Sequence, residues 1–460
     1  MSDDEAGRVI VIGGGPGGYA AAFRAADRGL SVTVVDEGDG LGGVCVDRGC
    51  IPSKALLTIM ETILRAREAS EAGVHFDDPS IDLDALRTWK DEIVDRLVGG
   101  LDSLAERRDI EHVHGRARFV DTDTVEIDGD ERRSFDHVVL ATGSRPRPLP
   151  GVEFGERIMD SARALALPDL PGSLLVVGGG YVGLELGQVY ATLGSEVTVV
   201  EMTDSLLPGT DEDLVGPLSD AVAAMVHDVR LGTRVEELTE ADGAVEARID
   251  DETLTFDRAL VAIGRVPNVE DLGLDAAGIE TRDDGTVDVD EHRRTSNPRV
   301  LALGDVAGGA WLAHEAMREG EVAADVIAGE ADAFDARAIP AVVYTDPQVA
   351  WCGLTEAEAE RQEREVKVER FPWSASGRAH TLGASAGFTK LLFDPDDGRL
   401  LGAGIVGRQA EALVAEAVVA IEMGAVARDL EMSIHPHPTL SETIGEAAAS
   451  FHGVATHVAH

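Results

Sequence analysis

Two cysteines stand five residues apart in Gly42-Gly43-Val44-Cys45-Val46-Asp47-Arg48-Gly49-Cys50-Ile51-Pro52-Ser53-Lys54. Thiols at that spacing can reach disulfide distance across a helical turn, and such a pair can exchange electrons with an external dithiol or disulfide. A structural zinc would need two further ligands nearby, and the segment supplies none. The other reading is a static disulfide or two inert thiols. Three cysteines in 460 residues are too few for a disulfide framework, so a close pair points to chemistry. Cys352, with no cysteine or histidine near it in sequence, reads as a buried small apolar residue. Near the opposite end runs Ile434-His435-Pro436-His437-Pro438-Thr439-Leu440-Ser441-Glu442. An imidazole is the side chain best poised to take and return a thiol proton near neutral pH. A carboxylate on its second nitrogen would fix the tautomer. Taken alone, two histidines in a proline-rich loop are surface residues or adventitious metal ligands.

Such groups need elements to position them. The chain opens with a strand at Val9 to Ile12, a turn Gly13-Gly14-Gly15-Pro16-Gly17-Gly18, an Ala-rich helix, and a strand Val32 to Val35 ending on Asp36. This is a βαβ unit with the dinucleotide fingerprint, in which Gly13, Gly15 and Gly18 permit a tight turn and close approach to a pyrophosphate. Asp36 would accept from a ribose. The same grammar returns about 165 residues later: Leu174 to Val177, then Gly178-Gly179-Gly180-Tyr181-Val182-Gly183, a helix through Gly194, and Val197 to Val200 ending on Glu201. One match is weak, but two with flanking strands and terminal acids indicate two dinucleotide sites, against the bland reading of unliganded glycine turns. A carboxylate at Glu201 favours NAD, because it accepts from the ribose 2'-OH and repels a 2'-phosphate. Met202-Thr203-Asp204 supply no arginine clamp. The turns at Leu140-Ala141-Thr142-Gly143-Ser144-Arg145-Pro146 and Val261-Ala262-Ile263-Gly264-Arg265-Val266-Pro267-Asn268 read as domain exits. A long helical stretch is predicted at about 53 to 108, and β segments at Ala341 to Tyr344 and Thr389 to Phe393.

The length suggests roughly three domains. With 40 basic against 85 acidic residues, the net charge is -45, which excludes nucleic acid and anionic membrane as natural partners. Apolar content of 44% and dispersed acids argue against disorder. Only four basic residues are lysines: Lys54, Lys90, Lys367 and Lys390. So acidic a surface suits high salt, where the Debye length falls to roughly 3 Å at 1 M. A halophilic cytoplasm is the expected setting. Met1-Ser2-Asp3-Asp4-Glu5 has the wrong charge for a signal peptide, and no apolar run is long enough to span a bilayer.

Together these motifs resemble the pyridine nucleotide-disulfide oxidoreductases over essentially the whole length, most of all those acting on dihydrolipoamide. The resemblance implies an α/β fold with two Rossmann-like dinucleotide-binding domains, for FAD and NAD, and a C-terminal α+β dimerisation domain. The expected divisions are 1–147 for FAD, 148–266 for NAD, 267–337 completing the FAD domain, and 338–460 for the interface domain. It implies that Cys45 is the interchange thiol and Cys50 the thiolate against the flavin. Lys54, kept in a chain with few lysines, would contact the flavin and pair with Glu185. The family's base precedes Pro-Thr with a glutamate five later, which selects His437 and Glu442 and leaves His435 a neighbour. Asp305, Ala313, Ala117 and Gly143 match FAD-contacting segments. Gly178, Gly180, Gly183, Glu201 and Gly264 fall to NAD, and Tyr181 matches a residue that covers the flavin until nicotinamide enters. No metal site is implied.

Ile51-Pro52-Ser53-Lys54 and the His437 to Glu442 segment point to lipoamide. The expected substrate is a small dithiol or disulfide or a lipoyl domain, handled by a homodimer with shared active sites within a 2-oxoacid dehydrogenase complex. Asp47-Arg48 departs from the usual residues between the cysteines. Arg48 could attract an anionic disulfide, so the alternative is an NAD(P)H-dependent reductase of a glutathione-like or bis-γ-glutamylcystine disulfide. A mercuric reductase would carry a second, C-terminal cysteine pair, which this sequence does not have. A flavin-binding protein with structural cysteines is the non-enzymatic alternative.

Overall fold

The computed structural model describes residues 7–458, so the reading of Met1 to Glu5 lies outside the described residues. The first apolar run forms the strand Arg8–Ile12, and the glycine turn leads into α1 (Pro16–Asp27) and the strand Ser31–Asp36. Arg8–Ile12 lies at the centre of a five-stranded parallel sheet, between His137–Leu140 and Ser31–Asp36, with Val300–Ala302 and Glu111–His114 at the edges. Val9, Val11, Val34 and Val139 are buried on one face of this sheet and Ile10, Ile12, Val35 and Val138 on the other, which is why these strands read as continuous apolar runs. The sheet is completed only by a strand from beyond residue 299.

A short helix and a long one follow the first βαβ unit: α2 (Gly43–Arg48) and α3 (Cys50–Glu68). Here the structure corrects the sequence reading, because the cysteines do not share one helical turn. Five residues along a continuous α-helix advance by about 500° and leave two side chains about 140° apart. The chain breaks at Gly49 (φ -141°, ψ -107°), where a Cβ would lie 2.7 Å from the Val44 carbonyl oxygen. That break brings the two thiols together. The helical stretch predicted for 53 to 108 is also two helices, Cys50–Glu68 and Leu83–Glu106. They separate at Gly73, whose φ of +83° ends a short 3-10 turn.

The second unit repeats the first. Strand Ser173–Val177, α4 (Tyr181–Leu193) and strand Glu196–Val200 build a second parallel sheet with Asp228–Arg230, Arg258–Val261 and Ile158–Met159. α5 (Glu212–Met225) leads from it toward the C-terminal sheet. The two exit turns meet as an antiparallel pair, Ser144–Pro146 with Arg265–Pro267. The C-terminal region is a five-stranded antiparallel sheet ordered Ala341–Val343, Val349–Gly353, Leu400–Val406, Phe388–Phe393, Lys367–Pro372. It carries α6 (Ala410–Glu422) and α7 (Glu442–Ser450). One apolar core joins Leu56, Leu57 and Met60 of α3 to Leu184 and Val189 of α4 and to Val343, Val349 and Val406 of the C-terminal sheet. The cysteine-bearing helix is therefore wedged between the second nucleotide unit and the C-terminal sheet. Cys352 is buried in that sheet, and burial pushes its thiol up to about 12. Among the described residues no helix is long and apolar enough to cross a membrane.

Candidate active site

A cavity of about 1330 Å³ runs from the first glycine turn to the cysteines. It exceeds the roughly 300–1,000 Å³ typical of drug-sized ligands, as a dinucleotide requires. Gly13, Gly15, Asp36, Ala117, Gly143, Asp305 and Ala313 line it, as do Cys45, Cys50, Lys54, Tyr181 and Glu185. Gly18 does not; it packs under the turn, where a Cβ would strike the Gly13 carbonyl. Gly15 precedes α1 without a side-chain cap, and a Cβ built on it meets no atom within 4 Å. Nothing in the protein demands that glycine. The space it leaves open, in front of unsatisfied helix N–H groups, fits a pyrophosphate. Gly180 stands the same way before α4.

The terminal acids also match between the two units. Asp36 accepts from Gly14 N at 2.6 Å and Gly38 N at 2.7 Å. Glu201 accepts from Gly179 N at 2.7 Å and from Thr203 N and Oγ1, each at 2.8 Å. Each carboxylate is anchored to its own glycine turn. Gly178, Gly180, Gly183, Glu201 and Gly264 lie around the second turn and not on the first cavity, whereas Tyr181 is on its wall.

Cys45 and Cys50 lie within hydrogen-bonding reach of each other. A hydrogen bond from Cys45 and then, against the cost of burial, the charge of Lys54 lower the Cys50 thiol to about 7. The same hydrogen bond, with burial, raises Cys45. The shared hydrogen bond thus favours ionisation of Cys50 over Cys45. Lys54 Nζ is 2.9 Å from Glu185 Oε2 and 4.3 Å from the centre of the Tyr344 ring. Glu185 is buried, and its other oxygen accepts from Tyr344 N at 2.9 Å. Tyr344 is absent from the sequence reading, which saw it only as the end of an apolar segment. A second missed group is Ser144, whose hydroxyl donates to Asp305 and accepts from Arg265 Nε at 2.6 Å.

Asp47 and Arg48 also line the cavity. Burial raises the Asp47 carboxyl; Arg48 opposes that rise, and Asp36 and Asp102 add to it. His437 and Glu442 are elsewhere. His437 Nδ1 is 2.8 Å from Glu442 Oε1, while Glu442 Oε2 accepts from Thr439 N at 2.8 Å. These two partners hold the Glu442 carboxyl below its usual range although burial works against it. The His437 side chain is 77% exposed and does not line the cysteine cavity of its own chain.

Residues 7–320 match the model for "Pyridine nucleotide-disulphide oxidoreductase", and residues 339–448 match its dimerisation domain. The chain belongs to this family. Among its relatives are a dihydrolipoyl dehydrogenase 2 from Haloarcula marismortui, 46% identical over 98% of this chain and 97% of that protein, and a dihydrolipoyl dehydrogenase from Halobacterium salinarum, 44% identical over 98% and 97%. A Vibrio cholerae dihydrolipoyl dehydrogenase is 41% identical over 99% and 98%. The crystal structure of LpdA from Mycobacterium tuberculosis superposes with a TM-score of 0.90 at 28% identity, covering 97% of this chain and 99% of that one. The likeness extends to a flavoprotein disulfide reductase, RclA, from Escherichia coli, at a TM-score of 0.86 and 25% identity over 96% and 99%. As in this family, the chain joins two dinucleotide-binding domains to a dimerisation domain.

Proposed function

We propose that this flavoprotein disulfide oxidoreductase oxidises dihydrolipoamide to lipoamide with NAD through Cys45 and Cys50. The carrying observation is the meeting, on one cavity, of a low-pKa Cys50, the Lys54–Glu185 pair, and Tyr181 from the second nucleotide unit. The full-length dihydrolipoyl dehydrogenase relatives support the same reading. FAD and NAD are the cofactors. The glycine turn, Asp36, Ala117, Gly143, Asp305 and Ala313 would hold FAD, and Gly178, Gly180, Gly183, Glu201 and Gly264 would hold NAD.

His437, oriented by Glu442, takes a proton from one substrate thiol. The thiolate attacks Sγ of Cys45 in the oxidised pair, the Cys45–Cys50 bond breaks, and Cys50 leaves as the thiolate that Lys54 stabilises. The second substrate thiol, once deprotonated, attacks its own mixed-disulfide sulfur and frees Cys45; the substrate loses two electrons and the pair gains them. When bound, FAD supplies the two-electron connection from the reduced pair to NAD.

His437 is exposed and away from its own cysteines, which supports a homodimer in which each base serves the other protomer's pair. Such a dimer fits a 2-oxoacid dehydrogenase complex, and the net charge of -45 suits a salt-rich cytoplasm. A second reading rests on Arg48, exposed on the cavity between the thiols and suited to an anionic disulfide. Steady-state rates at high salt with dihydrolipoamide plus NAD, compared with γ-glutamyl disulfides plus NADH or NADPH, separate the two. Absence of dihydrolipoamide turnover overturns the first reading.

A further inference from the structure

His435 is the histidine that the mechanism leaves idle, and its surroundings differ from those of His437. Its side chain is 12% exposed, against 77% for His437, although one residue separates them. Each ring has its own carboxylate at 2.8 Å: Nε2 of His435 meets Glu416 of α6, and Nδ1 of His437 meets Glu442 of α7. The Nδ1–Cε1 edge of the His435 ring lies on Gly445 of α7. A Cβ there would sit 3.0 Å from Nδ1 and 3.1 Å from Cε1, so tight that the ring would have to shift by a few tenths of an ångström. The glycine lets the imidazole lie against α7, three residues after Glu442.

We propose that His435 is a positioning residue for His437: pinned to Glu416 and packed on Gly445, it fixes where the loop between α6 and α7 presents the proton-accepting imidazole. The loop is held at two points. His435 anchors one end to α6, and Thr439 anchors the other through its N–H to Glu442 and its Oγ1, which donates to the Pro436 carbonyl at 2.7 Å. His437 lies between the anchors, flanked by Pro436 and Pro438, whose fixed φ angles leave little slack. The groups facing the His435 ring are Glu416 from α6, Glu442 from α7 and the Ser433 backbone. Glu416 holds the imidazole above its usual range, so the pair is charge-assisted. Releasing the first anchor leaves the base attached only through Glu442, free to swing by the ångström or so that costs about 100-fold in rate.

This inference rests on His437 being the base, and the test separates the two claims. The FAD-loaded full-length dimer is reduced by dihydrolipoamide, and separately by NADH, in a stopped-flow instrument. His435→Ala and Gly445→Ala should slow the dithiol half-reaction about 10- to 100-fold, with KM for dihydrolipoamide nearly unchanged and the NADH half-reaction at the wild-type rate. His435→Gln, which keeps an N–H for Glu416, should recover part of the loss. Adding Glu416→Ala to His435→Ala should cost nothing further, as expected for residues acting as one unit. His437→Gln is the reference. If it slows the dithiol step while His435→Ala and Gly445→Ala do not, the positioning role is wrong. If it leaves the dithiol step unchanged, the assignment of the base itself fails. Equal loss of both half-reactions in the His435 and Gly445 variants would mean a merely structural role and also overturn the proposal.

Discussion

The Cys50 thiol, exposed on the cavity, is held below its usual value by the hydrogen bond from Cys45 and by the Lys54 ammonium, against partial desolvation and with Glu185 pulling the other way. Replacing Lys54 with Met removes the cation and should raise the Cys50 midpoint from about 7 by about one unit or more. Glu185→Gln removes a carboxylate that disfavours the thiolate and should not raise it. Both are read from the long-wavelength thiolate-to-flavin absorbance of the two-electron-reduced holoenzyme against pH. A Lys54→Met midpoint that stays near 7 would remove Lys54 from the account. Cys50→Ser should lack the band altogether. Lys54 stands out in sequence because the chain has so few lysines, and Glu185 follows from the family pattern. Tyr344, which places its ring on Lys54 and its N–H on Glu185, is not legible: it is 159 residues from Glu185, and no local pattern encodes that meeting.

The second glycine turn and the C-terminal joint belong to the scale of elements. Glu201 uses both oxygens on its own loop, so Glu201→Ala should loosen the turn and raise KM for NADH about 10-fold while FAD content and the dithiol half-reaction stay unchanged. An unchanged KM would show that the loop keeps its shape without the carboxylate. Lys390, 1% exposed, lies among Asp211 at 2.8 Å, Asp213 at 2.6 Å and Glu356 at 2.8 Å, where α5 of the second unit meets the C-terminal sheet. Arg370 also reaches Asp213 and Glu356. Lys390→Met strands the buried Asp211 carboxylate beside the half-buried Asp213 and Glu356 and should cost about 3 kcal/mol, read as a lower Tm, with Arg370 limiting the loss. Burial would raise the Asp211 carboxyl, but Lys390 and two backbone N–H groups bring it below its usual value. Its contribution is therefore present above the unfolded carboxylate pKa of about 4 and lost as pH falls through the lower folded value. A Lys390→Met protein with unchanged Tm and acid midpoint would contradict this.

For the whole molecule, charge and pairing of chains decide behaviour. A net charge of -45 should make stability rise steeply with salt, as screening shortens the repulsion. Thermal unfolding from about 0.1 to 3 M KCl tests this, and a Tm that falls with salt would reject the halophilic assignment. If each active site joins Cys45 and Cys50 of one protomer to His437 of the other, Cys50→Ser and His437→Gln dimers are each inactive in dihydrolipoamide turnover. Dissociating, mixing and reassociating them should restore about a quarter of wild-type activity, since half the dimers are mixed and each has one intact site. Mixtures that stay inactive although subunits exchange would rule out shared sites.

Local patterns alone determined much of this protein: two glycine turns with their terminal acids and the cysteine pair, while the imidazole with its carboxylate five residues on was legible only through the resemblance to the family. The glycine turns and the cysteine pair are short-range signals, readable because turns, helix starts and strand periods are set by neighbouring residues. Only the tertiary structure decided how they act. The break at Gly49, and not a shared helical turn, brings the thiols together. Packing of α3 between the second unit and the C-terminal sheet delivers Lys54 to Glu185 and Tyr344. The loop carrying His437 is tied down by His435, Glu416 and Gly445, contacts between helices that chain order does not announce. Such meetings depend on how whole elements bury their apolar faces, a property of the assembled core that no single segment carries.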